Sequence, residues 1–206
     1  MPLIVLDGID GCGKSTQIER IAARLTERGI TPLRLREPGG TILGEQIRSL
    51  LLDTSTVACP TAELFGYLTA RAQLCHVVIA PAMAEGRTVL LDRFWYATMA
   101  YQVYGLGLNP SGVRAAIDLA VGGVKADLAV WLRLDPTESV RRRAAARGED
   151  RIEARGLAYQ QRVHAGYAAM AANGELQALD AARTPDAIFA DLWSLIEPLT
   201  SSPSSP

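Results

Sequence analysis

One short segment, GIDGCGKS at residues 8–15, narrows the structures open to this chain more than any other. It matches G-x-x-x-x-G-K-[ST], follows an apolar run at 3–7, and opens a pattern that puts Ile18, Ile21, Ala22 and Leu25 on one helical stripe. A glycine-rich turn between a buried strand and a helix lets backbone amides point inward around phosphate oxygens, and the helix N-terminus adds its dipole. Lys14 is then placed to reach β and γ phosphates, and the Ser15 hydroxyl to ligate magnesium. The expected ATP-binding set is Gly8, Asp10, Gly11, Cys12, Gly13, Lys14, Ser15 and Thr16. Cys12 reads either as a small packing residue or as a thiol activated by the helix N-terminus.

The strand–helix alternation continues down the chain. Apolar runs at 3–7, 32–36, 88–92, 128–134 and 176–180 alternate with helical patterns at 14–28, 43–52, 61–80, 94–103, 111–121, 153–172 and 185–196, with one more running from Thr137 into an arginine cluster. Strands this apolar need cover on both faces. The predicted fold is therefore α/β: a P-loop NTPase fold, with a five-stranded parallel sheet, helices on both faces and a small arginine-rich lid at about 141–155. No linker or internal repeat divides residues 1–200, which read as one domain, and the Ser/Pro stretch 201–206 reads as a disordered tail.

Charge limits the partners. The 206 residues hold 21 basic and 22 acidic groups, a net −1, so no global field attracts nucleic acid or an anionic membrane, and an anionic ligand must be gripped locally. All basic residues except Lys14 and Lys125 are arginine, which favours forked contacts to phosphate, although codon usage produces the same skew. No apolar run approaches a membrane span, so a cytoplasmic protein is expected. Cys12, Cys59 and Cys75 are odd in number and lack metal or redox spacing, which predicts reduced thiols. His76 and His164 fall outside every motif and read as packing or surface residues.

Further residues narrow the chemistry. A guanine-reading N-K-x-D segment is missing, since Lys125 lies in GVKAD. The third predicted strand ends in Asp92-Arg93, at the sheet edge where ligands of open α/β folds bind. There Asp92 can partner hydrated magnesium and Arg93 can fork onto an acceptor phosphate, or the two can simply pair at a strand end. Tyr67 and Arg71, four apart on one helix face, can stack on a base and approach its polar edge. Taken alone, the pair reads first as a half-buried tyrosine beside a solvated arginine. The run of arginines at 141, 142, 143, 147, 151 and 155 is explained largely as a solvated, salt-bridged helix, yet Gly148 interrupts it, and a lid closing over ATP needs such cations.

In order along the chain, GIDGCGKSTQ, REPGGT, IRSLLL, RAQ, DRF, AYQ and RGEDRIE resemble the thymidylate kinase family, and the similarity covers nearly the whole length. The resemblance implies transfer of the γ-phosphate of ATP to dTMP with magnesium, by a homodimer. It implies that Glu37 and Pro38 shape the acceptor pocket, that Thr98 faces the thymine, that Tyr101 crowds the ribose 2′ position, and that Asp10 contacts the 3′-hydroxyl. The P-loop has no arginine at its variable positions, which resembles the bacterial type whose catalytic arginine sits in the lid. Arg147 and Arg151 are the candidates. Asp7, Tyr67, Phe94, Ala97 and Leu74 depart from the usual Glu, Phe, Tyr, Ser and His, and bear on acceptor selectivity more than on reaction type. Two rival readings share the donor loop: a kinase for another deoxynucleotide or nucleoside, and a nucleotide-binding regulator without transfer activity.

Overall fold

The first strand, β1 (Leu3–Asp7), is buried at all five positions because it lies in the middle of the sheet. The computed structural model describes residues 1–144 and 151–200, so the tail 201–206 lies outside the described residues. Four further strands, β2 (Leu33–Arg36), β3 (Val89–Asp92), β4 (Leu128–Arg133) and β5 (Gln177–Asp180), complete one sheet in the order β2-β3-β1-β4-β5. Every pairing is parallel, with Leu3 opposite Val89 and Ile4 opposite Leu128.

Alternation along the strands divides the core in two. Leu3 and Val5 face one layer with Val89, Leu91 and Trp131, whereas Ile4 and Leu6 face the other with Leu90, Val130 and Leu132. The second layer is covered by α1 (Lys14–Glu27) through Ile18, Ile21 and Leu25, and by α9 (Pro185–Thr200) through Ile188, Leu192 and Ile196. The first layer receives α3 (Pro60–Leu74), α6 (Pro110–Val121) and α8 (Leu157–Ala172). On the flank, α2 (Ile42–Leu52) packs on α3, its N-terminus capped by Thr41, which accepts a hydrogen bond from Gly44 N–H at 2.9 Å. The five-stranded parallel sheet with helices on both faces is the architecture expected.

Three predicted helices differ in form. The 61–80 pattern is α3, then a π-helical turn (Cys75–Ile79), then α4 (Ala80–Ala84). Pro81 supplies the reason: it has no N–H, and its ring crowds the carbonyl four residues back, which a widened turn relieves. The 94–103 pattern is a single α-turn, α5 (Trp95–Thr98), followed by a π-helical stretch (Met99–Gly105). Five consecutive residues there, from Met99 to Val103, are buried, more than one face of an α-helix can hide. The 153–172 pattern breaks at Gly156 (φ 80°), between a short 3-10 turn (Glu153–Arg155) and α8. Between β4 and the described end of the arginine segment runs α7 (Pro136–Ala144).

Candidate active site

The C-terminal ends of β1, β3 and β4 meet where the strand order reverses, and the site is built there. Gly8 leaves β1 so close to β4 that a Cβ would sit 2.8 Å from the Leu132 carbonyl oxygen. Gly13 takes the left-handed conformation (φ 97°) at the N-cap of α1, which has no side-chain cap and no acidic residue in its first turn. The first-turn amides are thereby left for an anion. Lys14 is buried and bends back across the loop, donating from Nζ to Gly8 O at 3.1 Å and Ile9 O at 3.3 Å. Ser15 and Thr16 lie exposed on the first turn. Cys12 is buried, and burial pushes its thiol up against the opposing pull of Lys14, so it is a packing residue and not an activated thiolate.

Beside the loop opens a cleft. Asp10, Glu37, Pro38, Tyr67, Arg71, Arg93, Thr98 and Tyr101, the expected acceptor-side set, all line it. Arg71 is 2% exposed, which removes the reading of a solvated arginine. Its guanidinium donates to Glu37 Oε2 at 2.7 Å, to Thr98 Oγ1 at 2.7 Å and to the Phe94 carbonyl at 3.1 Å. Burial holds the Glu37 carboxyl above the usual range, while Arg71 opposes that shift. Burial pushes the Tyr67 phenol above its ordinary pKa.

Arg93 follows β3 with φ 69°, the only positive φ outside glycine among the described residues. Its Nη2 lies 2.7 Å from Asp10 Oδ1 and 3.4 Å from the Tyr101 hydroxyl, with the guanidinium carbon 5.2 Å from the Tyr101 ring centre. One cation thus faces the cleft from the strand edge, touching both the P-loop and the helix that follows. Asp92, at the end of β3, has its Oδ1 buried and without a hydrogen-bond partner. That orphaned carboxylate oxygen and the exposed Ser15 hydroxyl are hard donors of the kind magnesium takes, and magnesium needs few protein ligands because it keeps water and phosphate oxygens.

The lid candidates separate. Arg147 lies outside the described residues. Arg151 donates to Leu51 O at 2.8 Å and pairs with Glu63 Oε2 at 2.8 Å, beside the cleft-lining Ile152. From α7, the Ser139 hydroxyl donates to Asp10 O at 2.6 Å and Arg142 Nη1 reaches Gly11 O at 3.5 Å, so the base of the arginine segment rests on the P-loop.

Sequence reasoning missed Arg48, Gln102 and Ile152, which also line the cleft, and Ser139. Arg48 donates to Pro38 O at 3.0 Å, and its signal was its place as the one charged residue of the quoted IRSLLL segment. Gln102 lay inside the quoted AYQ motif, but its inward direction depends on the π-helical stretch.

Known proteins resemble this chain in sequence and overall fold. The sequence profile of the family described as thymidylate kinase matches residues 6–192. Thymidylate kinase of Gloeobacter violaceus is 43% identical over 198 residues, covering 94% of this chain and 93% of that protein. Thymidylate kinase of Parasynechococcus marenigrum is 45% identical over 192 residues, covering 90% and 91%. Among solved structures, the crystal structure of thymidylate kinase from Ehrlichia chaffeensis superposes with a TM-score of 0.76 at 25% identity, covering 95% of this chain and 98% of that one.

Proposed function

Because the chain belongs to the thymidylate kinase family, and so transfers the γ-phosphate of ATP to dTMP to give dTDP and ADP, we propose which of its residues perform each part of that transfer. ATP lies with its phosphates over the tip of α1, held by the amides of residues 8–16 and by Lys14, whose ammonium exchanges loop carbonyls for the β and γ phosphates. In the cleft, Tyr67 stacks on the thymine, Arg71 and Thr98 address its polar edge, Tyr101 crowds the ribose, and Asp10 takes the 3′-hydroxyl. Arg93 and Arg48 fork onto the acceptor phosphate.

An oxygen of that phosphate forms the new bond to the γ-phosphorus as the bond to the β-phosphate bridging oxygen breaks, and ADP carries away the electron pair. The acceptor is already ionised near neutral pH, so no strong general base and no covalent enzyme intermediate are needed. Ser15 and Asp92 would hold magnesium, which when bound neutralises charge on the β and γ phosphates. Segment 141–155 serves as the lid of a single domain spanning 1–200, with Arg147 and Arg151 as the candidates to supply a cation to the transferred group. The reading places the enzyme in the cytoplasm as a homodimer, with no nucleic-acid partner.

The observation that carries this reading is the Arg93 guanidinium, in contact with the P-loop through Asp10 while facing the acceptor cleft. Steady-state kinetics of Arg93→Ala test it. We expect kcat/KM for dTMP to fall by about 10²–10³-fold, with the affinity for an ATP analogue changed far less. Unaltered dTMP kinetics would remove Arg93 from the site.

A further inference from the structure

The left-handed backbone of Arg93 is disfavoured for any residue bearing a Cβ and persists only where its surroundings impose it. The restraint comes from the end of β1. Arg93 N–H donates to Leu6 O at 2.9 Å, which closes the strand ladder. The next amide, Phe94 N–H, donates to a side chain, Asp7 Oδ2, at 3.1 Å. The chain therefore reverses between two anchors supplied by adjacent residues of β1, and Arg93 is the residue caught between them.

Asp7 is 1% exposed, and both its oxygens are engaged. Its Oδ1 accepts from Gly8 N–H at 2.9 Å and from the Tyr167 hydroxyl at 2.6 Å, and lies 3.8 Å from Arg93 Nη1. Tyr167 comes from α8, 160 residues away in sequence. Its ring is fixed by stacking on Trp131 (centroids 5.8 Å apart, planes 13° apart) and by an edge contact with Tyr101 at 6.4 Å. The hydroxyl is thus delivered to Asp7 by packing that also backs the cleft.

We propose that Asp7 is a positioning residue for phosphoryl transfer, supported by Tyr167: its carboxylate locks the turn that throws the Arg93 guanidinium across the sheet edge into the acceptor cleft. The same group grips the first amide of the P-loop, so acceptor cation and donor loop keep one spacing. Asp7 meets three donors, from Gly8, Phe94 and Tyr167. An asparagine there must turn its own N–H2 toward at least one of them and lose that bond. The inference rests on the reading of Arg93 as the ligand of the acceptor phosphate.

Its test is a double-mutant cycle in kcat/KM for dTMP at saturating ATP, with Asp7→Asn and Tyr167→Phe made in the natural chain and in Arg93→Ala. We expect losses of about tenfold for Tyr167→Phe and about a hundredfold for Asp7→Asn in the natural chain. In the Arg93→Ala chain the same substitutions should each cost less than about threefold, because the group they position is gone. A buried residue that merely stabilises the fold gives equal losses in both backgrounds, and that result overturns the proposal, as does an unchanged kcat/KM in Tyr167→Phe. Should Asp7→Asn fail to fold, Tyr167→Phe, which keeps the packed ring, completes the cycle alone. Arg93→Ala by itself reports on the underlying reading: without an effect on dTMP that reading fails, whereas an effect of Arg93→Ala with additive losses overturns only the role of Asp7.

Discussion

Lys14 shows how one residue serves fold and reaction in turn. Its buried ammonium is held by two loop carbonyls, with Asp10 Oδ1 at 4.0 Å. Phosphate oxygens are stronger partners than carbonyls, and the side chain has only to swing from one to the other. Lys14→Ala should lower kcat by about 10²–10³-fold, and full turnover of that variant in a coupled steady-state assay would contradict the role. Lys14 was legible because its motif is local. Arg71 was legible only in part: its spacing from Tyr67 placed it on the right face, but Glu37, the partner that desolvates with it, lies 34 residues away and no local pattern points to the pair. Asp7 read as a shortened family residue, and its three donors come from three places in the chain.

Glu63 ties elements together. It sits on α3, fully buried, and receives Arg155 Nη2 at 2.5 Å, Arg151 Nη2 at 2.8 Å and Gln102 Nε2 at 3.1 Å, joining α3 to the 3-10 turn before α8 and to the π-helical stretch. Burial pushes its carboxyl up, but the hydrogen bonds and charges of Arg155 and Arg151 outweigh that and hold it below the ordinary 4.5. A depressed carboxyl contributes stability that is present above 4.5 and lost as pH falls through the folded value. The stability difference between the natural chain and Glu63→Gln, measured by urea unfolding, should therefore be largest near about pH 7 and shrink toward about pH 3. A difference constant over that range would contradict the pairing. At this scale the sequence showed where elements lie better than what form they take. Amphipathic periodicity located α1, α2 and α6 to within a residue or so, because each buries one stripe. It failed at Cys75–Ile79, where Pro81 widens the turn, and at Met99–Gly105, where burial of every residue from Met99 to Val103 leaves no single apolar stripe to read. It also ran past Gly156, whose positive φ ends the short turn before α8.

Across the whole molecule, function follows from the strand order. Alternating apolar runs implied a parallel sheet, but not that β1 would lie between β3 and β4, and this placement brings the P-loop, Asp92 and Arg93 to one edge. Among the described residues no helix is long and apolar enough to cross a membrane. The proposed homodimer would need an apolar surface, and Phe65 on α3 is 57% exposed, with Ile42 and Leu50 on the adjoining α2 84% and 62% exposed. Sedimentation should give twice the 22.1 kDa chain mass, with Phe65→Asp shifting the protein toward monomer; a natural chain that sediments as monomer would contradict the assembly. Acceptor choice is also a property of the whole cleft, since α2, α3, α5 and the π-helical stretch all contribute walls. The most direct measurement is product analysis after incubation with ATP and, in parallel, dTMP, dUMP, dCMP or thymidine. The site described here predicts equal amounts of ADP and dTDP and the highest kcat/KM for dTMP; ADP without dTDP, or a strong preference for another acceptor, would contradict it.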